Sequence, residues 1–298
     1  MTTSPSPLGS LARETAKNAR QVALPTLPSL LLFAAAMGVQ SWFNDLAGIG
    51  GNLFLMWLGV SLLTIFVGCF WSADMYRRLL PEAGTGLALG DAARLFLASL
   101  AVYSVYFIIG FFLTLFFSIF SGVLIGSAGY DPSEEASSSE AVRQSIEALS
   151  NSGGAAVLYI LLFVAAAGLV WLGLRLFLFG AATVANKRLT IFRSWGWTSG
   201  HIRLIAPLWF GLQFLPWLVL TLMASGLLHL AGAGTIFSYV AASPAPEGAA
   251  ASEAWLHPAL TGAATLLLAP FYWLGHGLAV ALYKHLVPGR VDADGTFG

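Results

Sequence analysis

The chain has 298 residues, of which 57% are hydrophobic and 9% charged, with a formal net charge of zero and a mean hydropathy of +0.78. A soluble domain carries roughly 25% charged residues, so most of this surface faces something other than water. The balanced charge excludes the basic footprint of a nucleic-acid binder, and the single cysteine, Cys69, excludes an intramolecular disulfide.

Stretches free of Asp, Glu, Lys and Arg run over 21–44, 46–73, 95–130, 148–174, 204–246 and 254–283. Each exceeds the roughly 20 residues that a helix needs to cross the hydrocarbon of a bilayer. None alternates as the strands of an outer-membrane barrel do. The pattern predicts an all-α polytopic membrane protein with spans at about 25–43, 53–72, 96–125, 154–178, 205–230 and 259–283, forming one membrane domain over 25–284. A tail and amphipathic segment (1–24) precede it and a second tail (285–298) follows. Arg13, Lys17 and Arg20 ahead of Ala34-Ala35-Ala36 also have the layout of a signal peptide and cleavage site. The apolar run continues to Phe43, so retention as a helix is the expectation.

The positive-inside rule orients the chain. With the N-terminus inside, Arg13, Lys17, Arg20, Arg77, Arg78, Arg94, Lys187, Arg188, Arg193, Arg203, Lys284 and Arg290 are cytoplasmic, and Arg175 reaches the same interface; Arg143 alone lies outside. Both termini are then cytoplasmic. A composition rich in Arg, Ala, Gly and Leu points to a bacterial cytoplasmic (inner) membrane. Of the external connections, 44–52 reads as a tight turn and 232–256 as an Ala-, Ser-, Gly- and Pro-rich loop. Within 127–152, Asp131-Pro132-Ser133-Glu134 reads as a helix start, with Val142, Ile146 and Leu149 on one face.

Met75-Tyr76-Arg77-Arg78-Leu79-Leu80-Pro81 recurs as Leu282-Tyr283-Lys284-His285-Leu286-Val287-Pro288 at the ends of the second and sixth spans. Short amphipathic segments at about 10–23, 88–97 and 189–202 each precede a pair of spans. The simplest description is three hairpins, each introduced by an interfacial helix.

The richest polar segment is 175–203. Thr190 is placed to cap a helix and Gly200 to end it. Trp195 and Trp197 suit anchoring in the headgroup layer, with Arg175, Lys187, Arg188, Arg193 and Arg203 near lipid phosphates. This makes the segment a candidate lipid-headgroup site, although an interfacial anchor is the simpler reading. Arg175, Ala181-Ala182-Thr183-Val184, the basic turn, Leu189-Thr190-Ile191-Phe192, Trp195, Thr198 and Gly200 together resemble the membrane domain fused to some glycerophosphodiester phosphodiesterases and to related bacterial inner-membrane proteins. This chain departs in having Ala where Pro is frequent after the arginine, and His201 where an amide is common. The 298 residues hold no phosphodiesterase domain with its metal-binding Glu and His residues. The resemblance therefore implies a fold and a membrane location, not hydrolysis.

Other candidates are weaker. Ser118, Gly122 and Gly126 form a small-residue stripe for close helix packing. Among the near Phe residues 111, 112, 116, 117 and 120, some must face lipid. His229, His257 and His276 lack metal-ligand spacing, and no cofactor motif is present. Pro216 and Pro270 are positioned to break the fifth and sixth spans and free carbonyls for a substrate. Asp74 and Arg175 are the one pair available for intramembrane chemistry, and they read more simply as an interfacial ion pair. With no catalytic constellation, the expectation is a non-enzymatic envelope scaffold or accessory subunit, partnered by the lipid bilayer and by another membrane protein. The alternative is a permease for a neutral or lipid-like solute.

Overall fold

A computed structural model describes residues 7–47, 54–84, 88–127, 144–145, 147, 149–230 and 256–287, with side chains at 45–47, 224, 227–230 and 256–257 left out. The predicted loops at 44–52, 127–152 and 232–256 and the tail after 287 lie wholly or largely outside these residues, as do Asp131, Arg143 and Arg290. The helices are α1 (Pro7–Ala23), α2 (Leu27–Ala47), α3 (Phe54–Leu79), α4 (Leu89–Ser127), α5 (Gly154–Leu176), α6 (Phe179–Ala185), α7 (Arg193–Thr198), α8 (Ile202–Trp209), α9 (Leu215–Leu230), α10 (Leu256–Leu267) and α11 (Ala269–Leu286). A 3-10 turn at Pro81–Ala83 and a π-turn at Phe210–Phe214 complete the described elements.

Four of these stretches are long and apolar enough to cross a membrane: Phe54–Leu79, Leu89–Ser127, Gly154–Ala185 and Ile202–Met223. Two further pairs meet the test only when joined across a bend, of 80° between α1 and α2 and of 44° between α10 and α11. Among the described residues the count by length and composition is thus four spans, or up to six.

Local chemistry explains the bends. At Pro25 the ring removes a backbone donor and disfavours helix at Leu24; Thr26 Oγ1 donates to Val22 O at 2.8 Å and satisfies a carbonyl there. At the second bend, Pro270 stands in the first turn of α11 and Leu268 stays in a helical conformation. No comparable break separates 88–97 from the span after it. From Asp91 to Ile109 the sequence holds neither Gly nor Pro, and α4 runs unbroken for 39 residues, about 58 Å. The expected interfacial helix at 189–202 is likewise shorter, confined to Arg193–Thr198.

The chain divides into two compact units, Met1–Ser99 with Leu174–Gly298, and Leu100–Gly173. The second unit is built from the later part of α4 and most of α5. Tyr106 Oη donates to Leu169 O at 3.4 Å and lies 3.0 Å from where a side-chain carbon on Gly173 would sit. Phe107, Phe111, Phe112, Ile119, Tyr159 and Phe163 are all exposed, a surface that water disfavours and hydrocarbon accepts.

In the first unit α1 is amphipathic. Leu11, Thr15, Asn18, Ala19 and Val22 form its buried stripe, while Arg13, Lys17 and Arg20 stand exposed on the other side. The stripe packs on α11, where Asn18 Nδ2 donates to Gly277 O at 3.1 Å. Gln21 Nε2 donates to Arg78 O at 3.2 Å and caps the end of α3. α2 packs against α10 through glycines: side-chain carbons on Gly38 and Gly262 would lie 3.1 Å from Pro258 O and 3.3 Å from Ala34 O. Against α3 it stacks Phe33 on Trp71. The two bent pairs are braced to each other, since Trp273 Nε1 donates to Thr26 Oγ1 at 3.3 Å.

Candidate functional site

Four buried polar residues of the first unit, Thr15, Asn18, Thr26 and Gln213, meet α11. Three consecutive residues of that helix meet three different neighbours. Gly275 lies against the π-turn, where a side-chain carbon would sit 2.6 Å from Gln213 Oε1. Gly277 lies against α1, where it would sit 2.8 Å from Thr15 O. Between them His276 turns to α3: its ring is 4.8 Å from that of Tyr76 and 6.5 Å from that of Trp71. Its Nδ1 donates to Tyr272 O at 2.7 Å, so this is a packing histidine tied to its own helix.

Two features of this region are harder to read from sequence. Gln213 is buried and donates to Phe271 O at 3.0 Å, joining the π-turn to the start of α11. π-turns recur at functional sites, and this one lies between Pro207 and Pro216. The second feature is the Trp71 indole N–H, which is buried and, among the described residues, has no hydrogen-bond partner. Tyr76 completes the cluster by covering Gly180 of α6, where a side-chain carbon would lie 2.8 Å from Tyr76 Oη.

The 175–203 segment folds around the end of α5. Ser194 Oγ donates to Arg175 O at 2.9 Å and accepts from Leu178 N at 3.2 Å. Thr198 Oγ1 also reaches Arg175 O, at 3.1 Å. Helix ends leave carbonyls without intrahelical partners, and these two fully buried hydroxyls supply them at the α5–α6 corner. Thr190 does not cap α7: its N–H donates to Thr183 Oγ1 at 3.3 Å and its hydroxyl to Arg188 O at 3.0 Å. Gly200 follows the helix with φ 79, a left-handed conformation natural to glycine.

The candidate headgroup residues divide by environment. Lys187, Arg188, Arg193, Trp195 and Arg203 are exposed, whereas Trp197 is buried with its ring edge-on to Tyr283 at 6.0 Å. The Arg175 guanidinium lies 5.0 Å from the centre of the Trp195 ring, a cation–π distance. No ion pair joins Arg175 to Asp74, which instead binds Arg78 Nε and Ser29 Oγ, each at 2.9 Å. The pair proposed for intramembrane chemistry is therefore not assembled.

Ser118, Gly122 and Gly126 lie exposed on α4, and among the described residues nothing comes within 4 Å of a side-chain carbon built on either glycine. His229 and His257 fall within α9 and α10, their side chains outside the described set. Among the described residues no three His, Cys, Asp or Glu side chains converge as metal ligands.

The chain matches no family model, no curated protein and no solved structure. The helices themselves define the class: a multi-pass α-helical membrane protein in a lipid-bilayer context.

Proposed function

We propose that this protein is a non-enzymatic component of a bacterial cytoplasmic membrane, a scaffold or accessory subunit with both termini in the cytoplasm. One observation carries the reading. The buried polar side chains Asn18, Gln213, Ser194 and Thr198 hydrogen-bond to backbone carbonyls at helix crossings and breaks. Groups used in this way hold a shape rather than a substrate. The resemblance over 175–203 supports the same membrane setting, with Arg175, Lys187, Arg188, Arg193, Trp195 and Arg203 serving the headgroup layer.

Two measurements test it. In proteoliposomes the purified protein is expected neither to move nor to hydrolyse a defined solute, and catalytic turnover or uptake defeats the proposal. A reporter fused after Gly298 should be active only when it is a cytoplasmic type; activity of a periplasmic reporter reverses the orientation.

A permease for a neutral or lipid-like solute is the second reading. It is favoured by the π-turn between Pro207 and Pro216 and by its bond through Gln213 to the bend at Pro270. Pro216→Ala, Pro270→Ala or Gln213→Met then impairs uptake at unchanged expression, while equal uptake by a deletion strain removes this reading.

A further inference from the structure

Where α3 gives way to α4, two arginines share one buried carboxylate and a lysine reaches the same turn. Arg77, in the last turn of α3, donates from Nη2 to Gly84 O at 3.0 Å and places Nη1 3.5 Å from Asp91 Oδ2. Arg94, near the start of α4, reaches the other Asp91 oxygen at 2.6 Å. Lys187 arrives from the end of α6: a side-chain carbon built on Gly84 would lie 3.9 Å from its Nζ.

Orientation by the positive-inside rule accounts for cations at this level, but not for two details. The first is the backbone of Lys187, which among the described residues is the one non-glycine with positive φ, at 51. That conformation costs an L-residue energy which glycine avoids. It sets the ammonium over the Gly84 turn, and no described carboxylate pairs with it. The second is Arg94 Nε, buried and, among the described residues, without a hydrogen-bond partner although the same guanidinium is ion-paired through Nη2. A buried charged donor left unsatisfied is costly, and an anion's oxygen is its natural complement. Asp91 does not meet this need, because its side chain is 5% exposed and its two oxygens already serve Arg77 and Arg94. Of the other acids nearby in sequence, Glu82 is exposed on the 3-10 turn and Asp74 is held by Arg78 and Ser29.

We propose that Arg77, Arg94 and Lys187 form a binding site for a phosphate group at the α3–α4 junction. Arginine forks suit paired phosphate oxygens and lysine adds a point charge, while Asp91 acts as a positioning residue that holds both guanidinium groups. At 26 residues α3 is about 39 Å long, so its charged last turn clears the hydrocarbon and reaches the level of lipid phosphates. The inference goes beyond the scaffold reading and does not depend on it.

The test uses the full-length protein in phosphatidylcholine nanodiscs, with phosphatidylglycerol added in one arm and inorganic phosphate in the other. Lipid retention is read by native mass spectrometry and phosphate binding by thermal shift. Lys187→Gly removes the ammonium and relaxes the left-handed backbone, so its melting midpoint without added anion should equal or exceed the wild type. Arg13→Ala, an exposed cation on α1 outside this cluster, is the control for diffuse surface charge. Lys187→Gly should weaken anion binding about five-fold, the effect of one cation near a membrane surface, with a clearly smaller loss in Arg13→Ala. An effect in the lipid arm alone identifies a headgroup site, and one in the phosphate arm a soluble ligand. Equal losses in the two variants, or no loss in Lys187→Gly in either arm, overturns the proposal.

Discussion

Gly277→Ala tests whether α1 is docked on the membrane core or merely lies beside it. A methyl group at 277 would sit 2.8 Å from Thr15 O, 3.2 Å from Ala19 N and 3.2 Å from Asn18 Cβ. Two of those atoms belong to the α1 backbone and cannot swing aside as a side-chain tip can. Relief to an ordinary contact requires the helices to part by about half an ångström, which also stretches the Asn18–Gly277 hydrogen bond from 3.1 Å. Overpacking of this kind costs about 1–3 kcal/mol. Loss of the interhelical bond adds roughly 0.6 kcal/mol, and alanine's helix propensity returns at most about 1 kcal/mol. Gly59→Ala is the matched control, because nothing lies within 4 Å of a side-chain carbon there. In one detergent, scanning fluorimetry of the full-length variants should show Gly277→Ala melting several degrees below the wild type, and Gly59→Ala at or above it. Midpoints within a degree of each other would show that the close approach at Gly277 does not hold α1.

Ser194→Ala strands the Leu178 N–H and weakens the cap on Arg175 O in a fully buried corner, so it should lower stability by about 1–3 kcal/mol. Thr198→Ala should cost less, since Ser194 still caps the same carbonyl; a denaturant titration showing the reverse order contradicts the assignment. For the brace between the bends, a double-mutant cycle of Thr26→Val with Trp273→Phe should give a coupling of about 0.6 kcal/mol; strictly additive losses would mean the contact carries nothing. Asp91→Asn leaves two arginines facing each other without their shared carboxylate. Because Arg94 is partly exposed, a loss of about 1–3 kcal/mol is expected rather than the full cost of breaking a buried pair. That deficit should shrink as salt is raised, and a salt-independent deficit argues against repulsion as its cause.

The long helices were legible because their signal is compositional: twenty apolar residues without a charge admit few alternatives. The bend after α1 was also marked in sequence, by Pro25. Other features depend on partners remote in the chain. Ser194 and Thr198 read as polar residues of an exposed anchoring helix, and only the return of the chain beneath Leu174–Leu178 turns them into caps; the available hint was two hydroxyls four residues apart. Trp197 was expected in the headgroup layer beside Trp195, but the two tryptophans lie two residues apart on a helix and so face different sides. The π-turn carried a faint sign in Gln213, an amide within an otherwise apolar run between two prolines. The amphipathic character of 88–97 suggests a separate element, yet α4 is continuous because nothing in Asp91–Ile109 ends a helix.

Gly275-His276-Gly277 shows why one histidine in an apolar span is a poor guide to chemistry. Successive residues of a helix are about 100° apart, so three in a row must face three directions. Here all three directions are occupied, by the π-turn, by α3 and by α1. The glycines are small because backbone or a buried amide occupies the space a side chain would need. The histidine is aromatic and polar because it packs on Tyr76 while supplying a hydrogen bond to its own helix at Tyr272 O. The triplet therefore marks α11 as the axis of the first unit. Displacing α1, α3 or the π-turn must be felt at one of its three residues. Substitutions at Gly275, His276 and Gly277 therefore report on how the π-turn, α3 and α1 pack on α11.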